Sequence, residues 1–293
     1  MLNEIFFGGQ NLSELEFKID GPKFKDGVPI HIAVQALDKF QSIVDKTYLV
    51  SSGSKKMMVK DREKYYLKAT EFREGSLLTI FEIALQGVQL GLPLASQLGP
   101  QNIWDYTKET FNFLKLVCGA VQKGEKPSYE FNNNGDATVH IGDISHHYSG
   151  PVIQIAQLSL SSYQGLANLL EPNKLTEISA GVHEKSPRDI YLGEGDRGAF
   201  DIPTRIEKDT IHLKCEIFDF NKYKNIGKLS VSCEDQKIQP GEYNFTIFGD
   251  QDNVEYIYSM LKPEVGIVCL IEMESNPFGN DKVNKLHITG VGT

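Results

Sequence analysis

The first readable pattern is Leu15-Glu16-Phe17-Lys18-Ile19-Asp20, where apolar and polar side chains alternate. A period of two places Leu15, Phe17 and Ile19 on one face of a half-buried strand. Gly21-Pro22 ends it. A period near 3.6 takes over from 29 to 49, where Ala33, Ala36, Leu37, Phe40, Ile43, Val44, Thr47 and Tyr48 share a helical face. Pro29 suits the first turn of that helix, where no backbone N–H is needed. Strands are predicted over 64–72 and 76–83, joined as a hairpin through Glu74-Gly75. Residues 88–98 read as weak helix broken by Gly91 and Pro93. A stronger helix follows, with Asn102 as its cap and Ile103, Thr107, Phe111, Leu114, Val117 and Cys118 as its apolar stripe.

Beyond Lys123-Gly124 the pattern changes. Short strands over 129–131 and 137–141 flank Asn134-Gly135, a tight hairpin signal. A helix is predicted over 158–170, and 181–199, rich in glycine and charge, reads as loop. From about 200 the alternation is that of strands: 210–218, 228–233, 243–248, 265–273 and 285–290, with a short helix over 251–261. Five strands and one intervening helix fit a small, OB-like barrel. The expected fold is therefore α+β, a small sheet with packed helices followed by a β-rich, barrel-like C-terminal domain. The expected divisions are an α+β domain over 1–124, a connecting segment with short strands and a helix over 125–199, and the barrel over 200–293.

Composition narrows the classes. With 40% hydrophobic and 24% charged residues over 293 positions, global disorder is excluded. The net charge of −9 is uneven: residues 1–124 hold 15 basic and 14 acidic side chains, residues 125–293 hold 15 and 25. An acidic second half repels phosphate, so a nucleic-acid contact is expected only through 1–124, and the acidic barrel suits a basic protein surface. Cys118, Cys215, Cys233 and Cys269 form no C-x-x-C pair and read as buried, reduced thiols. The N-terminus lacks the basic start and long apolar core of a signal peptide. Residues 83–104 carry no charge, but their amides, Pro93 and Pro100 suit neither hydrocarbon nor a spanning helix. No membrane association and a cytoplasmic location are expected. Val88, Leu90, Leu92, Leu94, Leu98 and Trp104 of that stretch become the candidate interface of a homo-oligomer or a protein partner.

Candidate chemistry is sparse. Two strand-borne His-x-Thr/Ser copies can supply the acid and base for a phosphodiester, but only His287-Ile288-Thr289 fits the half-motif. Asp143-Ile144-Ser145-His146-His147-Tyr148 is the densest polar cluster, and reads foremost as a polar turn. On a strand, His146 and His147 would point to opposite faces and could not chelate one metal together. Asp143, His146, His147 and His287 are thus the catalytic candidates of an enzyme acting on phosphodiesters or nucleotides. Glu16-Phe17-Lys18 matches a carboxylate–metal nuclease tripeptide, but three residues carry little weight beside the reading of exposed strand charges. Gly193-Glu194-Gly195-Asp196-Arg197-Gly198 is too acidic for a phosphate loop. The basic run with Lys55, Lys56, Lys60, Arg62 and Lys64, beside Tyr65 and Tyr66, is the candidate contact for single-stranded nucleic acid. No metal site and no cofactor is expected.

Three features carry a resemblance: the helix segment Ala36-Leu37-Asp38-Lys39-Phe40-Gln41-Ser42-Ile43-Val44-Asp45, the strand Phe72-Arg73-Glu74-Gly75-Ser76-Leu77, and the β-rich end. Together they resemble uncharacterised bacterial two-domain proteins of prophage or defence-type gene neighbourhoods. The resemblance covers the first half well and the end loosely, and it brings no functional residues. It implies a role in phage–host conflict as one component of a complex. With no catalytic constellation standing out, the expected function is a non-enzymatic interaction or regulatory protein.

Overall fold

The structure is a computed structural model that describes residues 14–24, 27, 29–73, 77–85, 99–133, 135–232 and 238–292. It divides into two compact units, Met1–Asp201 and Ile202–Thr293. The coarse expectation of a mixed α+β chain ending in a barrel is what the structure contains.

The first unit is built on β1 (Leu15–Asp20). Helix α1 (Ile30–Ser52) follows, then the single turn α2 (Val59–Arg62) and the hairpin β2 (Tyr65–Arg73) and β3 (Leu77–Leu85). Next come α3 (Pro100–Gln122), the strands β4 (Ser128–Phe131), β5 (Ala137–Ile141) and β6 (Ile144–Tyr148), and α4 (Gly150–Ala167). Strands β7 (Glu177–Val182) and β8 (Ile190–Gly193) complete it. The main sheet runs β2-β3-β1-β7-β8 and every pair in it is antiparallel.

Alternation along β1 does what its sequence demands. Leu15, Phe17 and Ile19 are buried, and the Phe17 ring stacks on Phe40 of α1 at 4.5 Å. Phe40 also meets Phe81 of β3 edge-on at 5.2 Å and lies 6.5 Å from Trp104 of α3. Helix α1 thus packs on the sheet and on α3 through Phe40, and α4 packs against both helices. The Thr47 and Thr107 hydroxyls sit 3.0 Å apart where α1 meets α3, and Tyr163 of α4 donates to the Thr107 carbonyl at 3.0 Å. The smaller sheet β4-β5-β6 packs on α3 through Tyr148 against Phe113, at 4.9 Å.

Four readings from sequence change here. The third helix begins at Pro100 with Gly99 as its cap, not at Asn102, because proline in the first turn gives up a donor that has no partner anyway. Gly150-Pro151 likewise opens α4, so this helix begins earlier than 158. Residues read as a polar turn, 144–148, form β6, with the turn proper at Gly142-Asp143. Residues 125–199 are no connector: β7 pairs with β1 along its whole length, and β8 with β7. Counted by these units, the charge is −5 and −4, from 20 basic and 25 acidic side chains in 1–201 and 10 and 14 in 202–293. The acidic excess is shared by the two units rather than confined to the second.

The second unit contains β9 (Thr204–Ile206), β10 (Ile211–Asn221), β11 (Ile226–Val231), β12 (Gly241–Ile247), α5 (Asn253–Ser259), β13 (Val265–Glu274) and β14 (Lys282–Gly292). Five strands close in the order β10-β11-β12-β14-β13 and back to β10, with β9 added outside on β13. Only β12 and β14 run parallel among these pairs. Alternating residues fill the interior: Leu213, Cys215 and Ile217 from β10, Ile267, Cys269 and Ile271 from β13, Leu286 and Ile288 from β14. Register shifts at Ile217/Asp219, Val268/Cys269 and Glu272/Met273 provide the bends that closure needs. Among the described residues, no helix is long and apolar enough to cross a membrane.

Gly227 marks the tightest point of the barrel wall. A Cβ there would lie 2.2 Å from the Asp219 carbonyl and 2.6 Å from the Phe245 ring. Gly227→Ala should therefore destabilise the barrel by about 3 kcal/mol, as overpacking of a filled site does. Urea denaturation followed by circular dichroism checks it.

Candidate interaction site

The polar residues that drew attention in the sequence are mostly engaged in holding elements together. Asp143 stands in the β5–β6 turn beside Gly142, whose φ is 56°. His146 pairs in register with Val139 and His147 with Thr138, so the two rings take opposite faces of β6. The His147 Nδ1 is 2.9 Å from the Thr138 hydroxyl, and the His140 Nδ1 is 2.8 Å from that of Ser145. An open cleft of about 350 Å³ lies between Asn132, Asp136, Thr138, His147 and Tyr148. Its carboxylate is committed: Asp136 Oδ1 accepts from the Gly150 N–H at 3.1 Å, pinning the hairpin to the start of α4. Among the described residues, no group of three or more His, Cys, Asp or Glu could hold a metal ion.

His287 belongs to the other unit, on β14. Its Nε2 lies 2.6 Å from Glu272 Oε2, while Asn284 Nδ2 donates to Glu272 Oε1 at 2.7 Å. Phe248 meets the His287 ring edge-on at 6.2 Å. The catalytic candidates Asp143, His146 and His147 are therefore on one unit and His287 on another.

The basic run separates in the same way. Lys55, Lys56, Lys60 and Lys64 are exposed. Arg62 instead forks onto the Asp45 carboxylate of α1, with Nη1 donating to Oδ1 at 2.8 Å and Nη2 to Oδ2. Tyr65, beside this run, is fully buried and stacks on Tyr48 at 4.1 Å, so it offers no platform to a base. Trp104, expected at an interface, is also fully buried, and its Nε1 donates to Asp189 Oδ2 at 2.9 Å. The companion residues Val88, Leu90, Leu92, Leu94 and Leu98, and Cys233 with them, lie outside the described residues. Cys118, Cys215 and Cys269 are buried thiols pushed up to about 12 by burial, far from the thiolate a nucleophile needs.

Glu16 was expected as an exposed strand charge and is only 4% exposed. It accepts from Arg188 and lies 2.8 Å from His183 Nδ1, two residues more than 160 positions away in the chain. No local sequence signal could have found this cluster.

One surface feature does reverse the usual pattern. On α5, Tyr256 points inward and is fully buried, stacking on Phe220 at 5.3 Å and Phe245 at 6.1 Å. The opposite side carries Val254, Ile257 and Tyr258, which are 47%, 43% and 64% exposed, and Leu261, in the turn after the helix, is 80% exposed. Val254, Ile257 and Tyr258, at i, i+3 and i+4, make one face of the helix. A globular helix normally shows polar groups to water on that side, and a contiguous apolar face marks an interaction surface. The helix is held firmly. Asp252 caps it by accepting from the Val254 N–H at 2.9 Å, and Asn253 Nδ2 donates to the Lys222 carbonyl at 3.0 Å. That second bond ties α5 to the β10–β11 turn, where Tyr223 is 86% exposed. The pattern 254/257/258/261 was visible in the sequence, but which side of the helix met the barrel was not.

No protein-family model, no curated protein and no solved structure matches the chain.

Two outcomes follow from these contacts. Arg62→Ala strands the Asp45 carboxylate and should cost about 1–3 kcal/mol of stability, whereas Lys55→Ala and Lys56→Ala should stay within about 0.5 kcal/mol. Thermal and urea melts of the three variants measure this. Glu272 is one pH-sensitive group: partial burial would raise its pKa, but hydrogen bonds from His287, Asn284 and Thr204 hold it below the ordinary carboxylate value. The ionised carboxylate thus stabilises the fold above about pH 4.3, and that contribution is lost as pH falls through the lower folded-state pKa. An acid titration of stability should be flatter in Glu272→Gln than in the parent chain.

Proposed function

We propose that this chain is a non-enzymatic interaction protein that engages another protein surface through the α5-bearing end of its barrel. The observation that carries the reading is the solvent-facing apolar side chains Val254, Ile257 and Tyr258 on a helix anchored from behind by Tyr256, with exposed Leu261 in the turn that follows it. Charges are depleted from the cores of protein interfaces, whereas Tyr and Met are enriched there. The stripe has that composition, with Met260 beside it. The barrel order, with its helix between the third and fourth barrel strands, further supports an OB-type module, a scaffold that commonly presents binding surfaces. The resemblance to proteins of prophage and defence neighbourhoods suggests the setting: one component of a complex in phage–host conflict.

Site-specific photocross-linking tests this. Benzoylphenylalanine in place of Tyr258 should give a light-dependent protein adduct in cells producing the full chain. The same group in place of Lys228, exposed on β11, serves as the control. Equal yields at the two positions, or no protein adduct at 258, would overturn the proposal.

A further inference from the structure

We propose that the segment joining α1 to β2 is a docking surface for an anionic lipid membrane, with Met58 and Val59 entering the headgroup region and the lysines around them meeting the lipid charge. The surface lies on the first unit and is independent of the α5 reading.

Residues 54–64 turn the usual polarity inside out. Asp61 is only 8% exposed, while Val59 is 81% and Met58 51% exposed. The hydrogen bonds explain the inversion. Asp61 Oδ2 accepts from the Met58 N–H at 2.8 Å, and the Met58 carbonyl accepts from the Asp61 N–H at 2.9 Å, so the carboxylate is folded back onto the start of α2. Arg62 is drawn away to Asp45 of α1. At the other end Gly53, with φ of 70°, closes α1, and the Ser54 N–H donates to the Leu49 carbonyl at 2.9 Å. The segment is therefore held in place before it meets a partner. What it turns outward is the apolar pair, the four lysines Lys55, Lys56, Lys60 and Lys64, and one acid, Glu63. Among the described residues, these four lysines enter no ion pair, so their charge is open to a partner.

Charge and area together select that partner. Four lysines against one exposed acid call for an anionic surface, and each lysine close to such a membrane adds about five-fold to affinity. The net charge of −9 does not oppose this at close range, because at physiological salt charges are screened beyond about 8 Å. Single-stranded nucleic acid needs ring faces to stack on, whereas Met58 and Val59 are aliphatic and Tyr65 is buried. A protein partner needs more apolar contact than this. Met58 and Val59 offer roughly 200 Å², against about 800 Å² from each side of a standard interface, and lysine is depleted from such interfaces. A lipid surface sets neither requirement. Two aliphatic side chains enter the boundary between headgroups and acyl chains, while lysine stems lie along it and keep their ammonium groups in water. Such contact needs no spanning helix, and it departs from the expectation that the chain meets no membrane.

Flotation of the full chain with vesicles tests the proposal. Binding to phosphatidylcholine vesicles containing about 30% phosphatidylserine should be at least about ten-fold tighter than to phosphatidylcholine alone, and about 0.5 M salt should release it. Lys55→Ala combined with Lys56→Ala should weaken binding roughly ten- to thirty-fold, and Val59→Asp at least about five-fold, with thermal melts unchanged. Val59→Trp should bind more tightly, and its fluorescence should shift to the blue when phosphatidylserine vesicles are added. The one native tryptophan, Trp104, is already buried and does not mask that shift. Equal affinity for the two kinds of vesicle, absence of flotation, or a Val59→Trp emission that stays in place overturns the proposal. So does a chain that ignores vesicles but retards a single-stranded oligonucleotide through the same lysines, which would assign the patch to nucleic acid.

Discussion

The first unit depends on β1 being paired along both edges. Leu15 to Ile19 pair with β3 on one side, and all six residues pair with β7, some 160 positions later, on the other. A central strand leaves no backbone donor or acceptor to water, so the unit cannot keep its sheet without the late segment. The pairing also fixes the face on which Phe17 meets Phe40, and through Phe40 the position of α1 over the sheet. Gly21, at the end of β1, would drive a Cβ to 2.2 Å from the Lys174 carbonyl, so the chain segment entering β7 is pressed against this strand. The sequence from 15 to 182 is therefore one folding problem, and helices α3 and α4 are enclosed within it.

The barrel solves a different problem, closing a sheet without an exposed edge. Its core comes from alternation in each strand, and the end near α5 is filled by Tyr256 among Phe220 and Phe245. A short helix that spends its one buried aromatic inside the barrel has only its other side left to show. Polar residues on that side would have made α5 a simple plug. Val254, Ile257 and Tyr258 there make it a plug with a second face.

Strand and helix periods were legible wherever one side of an element meets water. The alternation in β1, β10 and β13 and the stripe of α1 gave those elements within a few residues. What was hidden has physical causes. Strand β7 reads Glu-Ile-Ser-Ala-Gly-Val and is buried over four of its six positions, so small residues replace the alternation that a half-buried strand would show. Strand β6 is the edge of a small sheet, and its Ser145, His146 and His147 look like a turn because they face water or bond across the ladder. Helix α4 opens on Gly150-Pro151, a dipeptide that reads as a break but here supplies the start. The charge division drawn at 124 does not follow the two units, because the β1–β7 pairing crosses that boundary.

The candidate chemistry was harder to read because charge pairs are made over long sequence separations. Asp45 and Arg62 are 17 positions apart, Glu272 and His287 15, Glu16 and Arg188 172. Each carboxylate is substantially buried and each meets its donors from another element, so its oxygens are hydrogen-bonded where water is largely excluded. Inspected locally, Glu16-Phe17-Lys18 resembles part of a metal site and His287-Ile288-Thr289 part of a phosphodiesterase. In the fold, Glu16 binds the β7–β8 connection to β1, and His287 joins β14 to β13 through Glu272. Polar side chains that hold elements together are constrained by their partners and cannot follow a substrate. The apolar stripe on α5 has no such constraint within the barrel. Its burial gain, at about 25 cal/mol per Å², is realised only when a second surface covers it. That asymmetry, polar groups committed inward and an ordered apolar face turned outward, is the physical ground for placing association ahead of catalysis.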